Sequence, residues 1–221
     1  MSIKIGHKGE TVKTLQSQLN RLGYRLTEDG VFGYTTLLAV RNFQKQKGIT
    51  PDGIVGAGTT AQILLALGTI QKPESAHFKL RDFISAADAD AEENGIPYPY
   101  FDNLQTLMER LERLRDRLDG QELVIRSGYR SPRFNRAVGG AGASQHLFAK
   151  AADIFVKNYA MTACELGRLI MEDTSLKTLF GGIGLGSVKN VHVDIRTVKN
   201  PEKPVVWWYQ SKTWEDWGRA R

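Results

Sequence analysis

Apolar residues in the first 67 positions recur at helical spacing in three short stretches. The first two stretches are Val12, Leu15, Leu19 and Leu22, then Leu37, Val40 and Phe43, and a third short helix is predicted around residues 60–67. Two turns of the form DGxxG, at residues 29–33 and 52–56, separate the stretches. Glycine allows positive φ there, and the aspartate can hydrogen-bond backbone amides where the next helix begins. The pattern predicts a compact domain of three helices with a weak internal repeat.

The pattern changes after residues 68–77, whose glycine, proline and polar side chains are typical of a short linker. A long helix from about residue 102 has one apolar face, made of Leu104, Leu107, Met108, Leu111, Leu114 and Leu118. Residues 123–127 alternate as in a strand, and residues 151–156 indicate a buried strand. A second short alternating run, residues 191–194, follows the glycine-rich residues 181–186, which we interpret as turns. The chain is therefore predicted to contain more than one domain.

Composition narrows the classes of partner. A net charge of +6 and a pI near 9.4 favour an anionic partner such as nucleic acid, a membrane surface or an acidic cell-wall polymer. The sequence has neither an Arg/Lys-rich recognition helix nor an interleaved aromatic RNA motif, so we do not expect nucleic acid. It also lacks the long apolar run of a membrane span, so we expect no membrane insertion. The single cysteine, Cys164, excludes an intrachain disulfide.

Two histidines and one acid are the candidate metal ligands. His146 precedes Asp153 by seven residues beside a glycine-rich loop, and His192 lies in the short run 191–194. Asp153 lies inside an apolar strand, where an unpaired carboxylate is costly and a cation would compensate its charge. Two histidines and one carboxylate form a zinc triad with an open fourth position.

Two further residues are candidates for catalysis. Arg130 follows a strand within the sequence Ser-Gly-Tyr-Arg-Ser, where it can bind a carboxylate or hold the oxygen that becomes negative during attack on an amide. Asp194 lies two residues after His192, and therefore on the same face of a strand. It can act as the general base or orient His192 through a hydrogen bond. Both interpretations stay open at this point.

Residues 4–66 resemble the three-helix peptidoglycan-binding domain found at the ends of many cell-wall hydrolases. The pattern DGxFGxxTxxAVxxFQxxxGxxxDGxxG is nearly intact, and only the entry loop around His7 is altered. The resemblance implies that residues 1–67 form an all-α domain that binds bacterial peptidoglycan.

Residues 78–210 resemble the zinc D-alanyl-D-alanine peptidase family, whose pattern is SGYRS, then SxHxxGxAxD, then a distant histidine. The first part is intact, and the second departs only at Ala149, where the family usually has glycine. By this resemblance His146, Asp153 and His192 bind Zn²⁺, whereas the residues in contact with substrate are Arg130, Ser144 and Gln145. Lys189 stands where many relatives place an acid or histidine, and the branch with a His-x-Asp ending makes Asp194 the candidate base. A base from the helix at 161–175 or from the aromatic run 207–209 stays open, and those aromatics can instead close the core or form a wall of the cleft.

The two resemblances together imply a small all-α domain, residues 1–67, a linker, residues 68–77, and an α+β zinc peptidase domain with an antiparallel sheet, residues 78–221. We expect a monomer that hydrolyses an amide in the stem peptide or cross-link of peptidoglycan. The activity would be that of a D-Ala-D-Ala carboxypeptidase or an endopeptidase, including a phage endolysin. The alternative is a catalytically inactive wall-binding protein.

The place of action is expected to be the bacterial cell wall. The N-terminal residues contain no apolar segment followed by a small-residue cleavage site, so we expect no ordinary secretion signal. That expectation is compatible with release through holin-type pores, as for a phage endolysin, or with non-classical export.

Overall fold

The computed structural model describes residues 2–187 and 189–209, and the end of the predicted catalytic domain, residues 210–221, lies outside the described residues. The chain forms two compact units. Of the described residues, 2–72 and 93–99 make the first, and 73–92 and 100–209, without 188, make the second. No described helix combines the length and the apolar character that a membrane crossing requires.

The first unit contains the three helices that the apolar spacing predicts: α1 Glu10–Arg21, α2 Tyr34–Gln46 and α3 Ala57–Ala66. Their apolar faces meet in one core, made of Val12, Leu15, Leu19, Phe32, Ala39, Val40, Phe43, Val55 and Ile63. Burial of these side chains is the main source of stability for so small a domain. The predicted all-α N-terminal region is therefore confirmed.

A buried glutamine fastens each DGxxG turn to the helix before it. Gln16 donates from Nε2 to Asp29 Oδ1 at 2.8 Å and to Thr36 Oγ1 at 3.3 Å, and its Oε1 accepts the Gly30 N–H at 2.9 Å. The amide thus satisfies polar groups that the turn would otherwise bury without partners.

The second turn repeats the same arrangement. Gln44 donates from Nε2 to Asp52 Oδ1 at 2.8 Å and to Thr59 Oγ1 at 3.1 Å, and its Oε1 accepts the Gly53 N–H at 2.8 Å. The internal repeat is therefore a repeat of hydrogen-bond networks as well as of sequence. These two glutamines are structural residues, each 1% exposed.

In its described residues, the second unit contains a five-stranded sheet and several helices. Its strands are β1 Leu123–Ser127, β2 Ala151–Val156, β3 Gly182–Leu185, β4 Val191–Asp194 and β5 Val205–Trp208. Its helices, in chain order, are α4 Ala89–Asn94, whose last two residues belong to the first unit, then α5 Phe101–Arg115, α6 Pro132–Ala137, α7 Ala163–Glu172 and α8 Thr174–Lys177. The strand order is β1-β2-β4-β3-β5, and every pair is antiparallel except β3 with β5. The predicted α+β class is confirmed, with a parallel pair at one edge.

Interpretation of residues 181–186 as turns is wrong, because Gly182–Leu185 forms the fully buried strand β3. Its glycines alternate with Ile183 and Leu185, so one face of the strand carries no side chains and the other face is apolar. A Cβ on Gly182 would lie 2.3 Å from Asp194 Oδ2, and one on Gly184 would lie 2.9 Å from the Trp207 ring. Glycine is needed there because neighbouring side chains occupy the space.

One transverse row of paired residues crosses all five strands. The register pairs Ser127 with Asp153, Asp153 with His192, His192 with Gly184, and Gly184 with Trp207. Directly paired residues point to the same face of a sheet. Strand register therefore brings Asp153, His192 and Trp207 to one face of the sheet. Gly184, which has no side chain, lies between the two rings in this row.

We predict that Gln44→Leu lowers the free energy of unfolding of the first unit by roughly 2–4 kcal/mol, because the substitution leaves the buried Gly53 N–H and the buried Thr59 hydroxyl without their partner and also removes the bond to Asp52. Chemical denaturation followed by circular dichroism measures the change. Gln46→Leu, an exposed position on the same helix, should change stability by less than about 0.5 kcal/mol. Equal losses in the two variants would contradict a role for the buried amide.

Candidate metal centre

His146 lies in a short 3-10 turn, Gln145–Phe148, and is 2% exposed. Its Nδ1 lies 2.6 Å from the carbonyl oxygen of Gly128. A carbonyl oxygen can only accept, so Nδ1 carries the proton and donates it. The tautomer is thereby set, and Nε2 presents a lone pair to the centre of the site.

His192 is held in the same way from the opposite side. Its Nε2 lies 3.2 Å from Asp194 Oδ2, and its Nδ1 lies 3.2 Å from His146 Nε2. Because the carboxylate of Asp194 accepts a hydrogen bond from Nε2, the neutral ring presents the lone pair of Nδ1. Such carboxylate and carbonyl partners behind a histidine are the usual supports of a metal ligand.

Asp153 supplies the third acceptor. Its Oδ1 lies 2.9 Å from His192 Nδ1 and 3.5 Å from His146 Nε2, and its Oδ2 accepts Arg130 Nη2 at 2.6 Å. The three facing atoms are therefore separated by 2.9, 3.2 and 3.5 Å. Donor atoms bound to one tetrahedral zinc at about 2.0–2.1 Å stand about 3.3 Å apart. The spacing fits a zinc ion held by His146, Asp153 and His192.

The electrostatics of the cluster also favour a bound cation. Burial lowers the pKa of His146, so its ring stays neutral. Burial also lowers the pKa of His192, but its hydrogen bonds with Asp153 and Asp194 outweigh that effect and leave the pKa raised. Burial raises the pKa of Asp153, yet its bonds with the two histidines prevail and hold it well below the usual range. Asp153 is therefore ionised between the rings of His146 and His192, and a bound cation would stabilise its negative charge.

Arg130 is fixed beside the cluster. Its Nε donates to Ser127 Oγ at 3.0 Å, and its backbone N–H donates to the carbonyl oxygen of His146 at 3.1 Å. Ser127 is the β1 member of the transverse row, so the same register that positions Asp153 also positions the guanidinium. Arg130 lines the cavity in front of the three acceptors.

Asp194 lies behind His192 and is fully buried. Arg196 donates to it from the backbone N–H at 3.0 Å, from Nε at 2.8 Å and from Nη2 at 2.6 Å. Burial alone would raise its pKa, but bonds with His192 and Arg196 lower the pKa to about 2. The carboxylate is ionised, and both of its oxygens are engaged.

A cavity of about 640 Å³ opens over the cluster. Ser144 and Gln145, which the resemblance assigns to substrate, lie in its wall together with Arg130, His146, Asp153 and His192. The rest of the described wall consists of Val138, Gly139, Gly140, Ala141, Ala143, Ser187, Asn190, Arg196, Trp207 and Tyr209. Asp194 is outside this wall. All predicted site residues are therefore in or directly behind one cavity.

Two residues near the site, Arg196 and Asp88, were missed by the sequence analysis, whereas Trp207 belongs to the aromatic run that it named as a possible wall of the cleft. Arg196 continues the alternation of His192 and Asp194 by two more residues, a signal that could have identified it. Trp207 packs on His192 with ring centroids 5.0 Å apart. Asp88 is buried and accepts the N–H and hydroxyl of Ser131, both at 2.7 Å, which ties down the loop after Arg130. The sequence around Asp88 contains no signal for this role.

Ala149 adopts the left-handed conformation, with φ 52° and ψ 34°, and is fully buried. This is the region in which glycine is favoured, so the departure from the glycine of the pattern places a methyl group in a strained turn. His146 and Asp153 on either side of that turn nevertheless converge with His192.

Comparison with known families agrees with this geometry. The sequence model of Peptidase M15 matches residues 76–194, more than half of the chain, and that of a peptidoglycan binding domain matches residues 8–63. The chain belongs to the Peptidase M15 family. Its M15 region contains every residue of the metal cluster and Arg130.

Curated relatives match each part of this M15 protein. The zinc D-Ala-D-Ala carboxypeptidase of Streptomyces albus G is 29% identical over 163 residues, covering 67% of this chain and 59% of the relative. A spore cortex-lytic enzyme of Bacillus cereus is 43% identical over 65 residues, covering 29% of this chain and 25% of the relative. The chain thus spans less than two thirds of the length of these relatives.

Two solved structures are similar to parts of the chain. The crystal structure of the SleB N-terminal domain is 43% identical, with a TM-score of 0.29, and covers 30% of this chain and 92% of that one. The crystal structure of a Burkholderia AP3 phage endolysin is 21% identical, with a TM-score of 0.30, and covers 60% of this chain and 42% of that one.

We predict that the purified M15 protein binds one zinc ion per chain, and that His192→Ala and Asp153→Asn each weaken binding at least about 100-fold, because each removes one of three ligands. Elemental analysis and competition with a chromophoric chelator measure stoichiometry and affinity. His77→Ala, a half-exposed histidine paired with Glu112, is the matched control and should bind zinc normally. Unchanged affinity in both ligand variants would contradict the assignment.

Proposed function

We propose that this protein is a zinc-dependent peptidase that hydrolyses an amide bond in the stem peptide or cross-link of bacterial peptidoglycan. The observation that carries the proposal is the convergence of three lone-pair atoms, from His146, Asp153 and His192, at zinc-ligand spacing on the floor of an open cavity. Membership of the M15 family and the similarity to a zinc D-Ala-D-Ala carboxypeptidase support it.

Zinc bound by these ligands would lower the pKa of a water molecule and polarise a carbonyl group. Arg130 lies beside Asp153 with its guanidinium at the cavity wall, and there it would stabilise the oxygen that gains negative charge. Ser144 and Gln145 would orient the peptide from the adjoining wall. The bonds of Arg130 with Ser127 and Asp153 keep it in place before substrate arrives, which lowers the cost of reorganisation.

Asp194 is better suited to position His192 than to act as the base. It is outside the cavity wall, and its oxygens are engaged by His192 and Arg196. A general base must come within hydrogen-bond reach of the proton that it takes. The hydrogen bond between Asp194 and His192 Nε2 instead holds the imidazole ring so that Nδ1 faces Asp153. We therefore propose the orienting role for Asp194.

Residues 1–67 would hold the enzyme on its polymer. The match of residues 8–63 to a peptidoglycan binding domain supports this part of the proposal. Attachment to the wall through one domain raises the effective concentration of peptide stems at the other domain without any new contact at the active site. The positive net charge would favour approach to an anionic wall.

The function is tested by mass spectrometry of purified peptidoglycan and of a free pentapeptide stem after incubation with the protein. We expect a zinc-dependent product that EDTA and His146→Ala abolish and His77→Ala preserves. Loss of one terminal D-alanine identifies a carboxypeptidase, whereas a cut within the stem or cross-link identifies a lytic endopeptidase. Lack of any metal-dependent product from walls of several chemotypes would overturn the proposal and favour an inactive wall-binding protein.

We predict that Asp194→Asn weakens zinc affinity by about 10–100-fold, because it disturbs a supporting contact of a ligand. Saturating zinc should then restore most of kcat. Steady-state rates at increasing free zinc, compared with a direct measurement of zinc affinity, separate the two roles. A kcat that stays at least about 100-fold low in zinc-saturated Asp194→Asn would instead identify Asp194 as the base.

A further inference from the structure

Arg196 forms part of the cavity wall on the side of His192 away from Arg130. It follows β4, its side chain is about one-third exposed, and its neighbours in the wall are Trp207 and Tyr209. The guanidinium carbon lies 5.1 Å from the centroid of the Trp207 ring. This contact and the ion pair with Asp194 fix the plane of the guanidinium.

Among the described residues, the side-chain hydrogen bonds of Arg196 use one edge of its guanidinium. Nε and Nη2 donate to the carboxylate of Asp194, at 2.8 and 2.6 Å. A guanidinium has five N–H donors in one plane, so the edge formed by Nη1 and Nη2 faces away from Asp194. That second edge has the fork geometry that matches a carboxylate.

The charge of the site favours an anionic ligand at this edge. Arg130 and Asp153 cancel one another, as do Arg196 and Asp194, so a bound zinc leaves a net charge of about +2 beside the cavity. Arg130 is already directed at Asp153, next to the reacting carbonyl in the proposed reaction. Arg196, on the other side of His192, is placed to bind a charge farther along the substrate.

We propose that Arg196 binds a free carboxylate of the peptide substrate and thereby determines which peptides are cleaved. The proposal rests on the proposed peptidase function and deepens it. Trp207 supports the guanidinium from below, and Gly184 leaves the space that the ring occupies. In a stem peptide with L-lysine as the third residue, two carboxylates have this chemistry: that of the C-terminal residue and that of the D-glutamate residue.

The test compares one stem peptide with two amidated forms, one carrying a C-terminal amide and the other D-isoglutamine in place of D-isoglutamate. In the zinc-loaded full chain we expect one of the two amides to raise KM by about 10–100-fold, since a hydrogen bond to a charged group contributes about 1.5–3 kcal/mol. Arg196→Gln should raise KM for the free carboxylate to the value of that amide. The identity of the sensitive amide tells which carboxylate is bound.

Arg196→Lys and Arg126→Gln complete the set of variants. Arg196→Lys keeps a positive charge beside Asp194 but lacks the fork, so it should also lose the preference for the carboxylate. Arg126→Gln, at an exposed position of β1, should keep it. Calorimetric binding of the same peptides, with the scissile amide reduced to a methyleneamine, gives a readout that does not depend on turnover.

Three results are distinguishable. A preference for one carboxylate that both Arg196 variants lose supports the proposal. A fall in kcat that is equal for all peptides, with the preference unchanged, overturns it and leaves Arg196 as a positioning residue for Asp194. If the unmodified protein cleaves none of the peptides and no wall with zinc, the proposed function itself fails.

Discussion

The convergence of three ligand atoms, His146 Nε2, His192 Nδ1 and Asp153 Oδ1, in one buried cluster is the constraint on which the site depends. The Gly128 carbonyl oxygen accepts a hydrogen bond from His146 Nδ1, and Asp194 accepts one from His192 Nε2, so His146 Nε2 and His192 Nδ1 both face Asp153. The buried carboxylate of Asp153 is unfavourable unless a positive charge, from a bound cation or a protonated His192, compensates it. The surrounding contacts hold the three ligand atoms together, so that a metal ion would find its ligands already in place.

The sheet distributes the parts of this arrangement along one row. Ser127 holds Arg130, Asp153 and His192 face the metal position, and Trp207 packs on His192 across Gly184. Glycine is required at positions 182 and 184, because a side chain at either would displace Asp194 or Trp207. The run of glycines therefore has a packing role on the face that bears the site.

In the first unit, each of the two DGxxG turns is likewise fixed by one buried polar side chain. Gln16 and Gln44 each join a helix, a turn and the next helix through one amide, and the apolar faces then close over it. In the second unit Asp88 has the corresponding task for the loop that bears Arg130. In both places a buried polar side chain, satisfied by backbone and hydroxyl groups, sets a loop that apolar packing alone would leave undetermined.

The amino-acid sequence by itself determined the three N-terminal helices, the long helix near residue 102 and the strands at 123–127, 151–156 and 191–194, because periodicity is a local property. It also singled out His146, Asp153 and His192 by type. Only the tertiary structure decided that 182–185 is a strand, that Asp194 lies behind His192, and that Arg196 and Trp207 border the cavity. These facts depend on strand register and on contacts between residues distant in the chain, which no local pattern encodes.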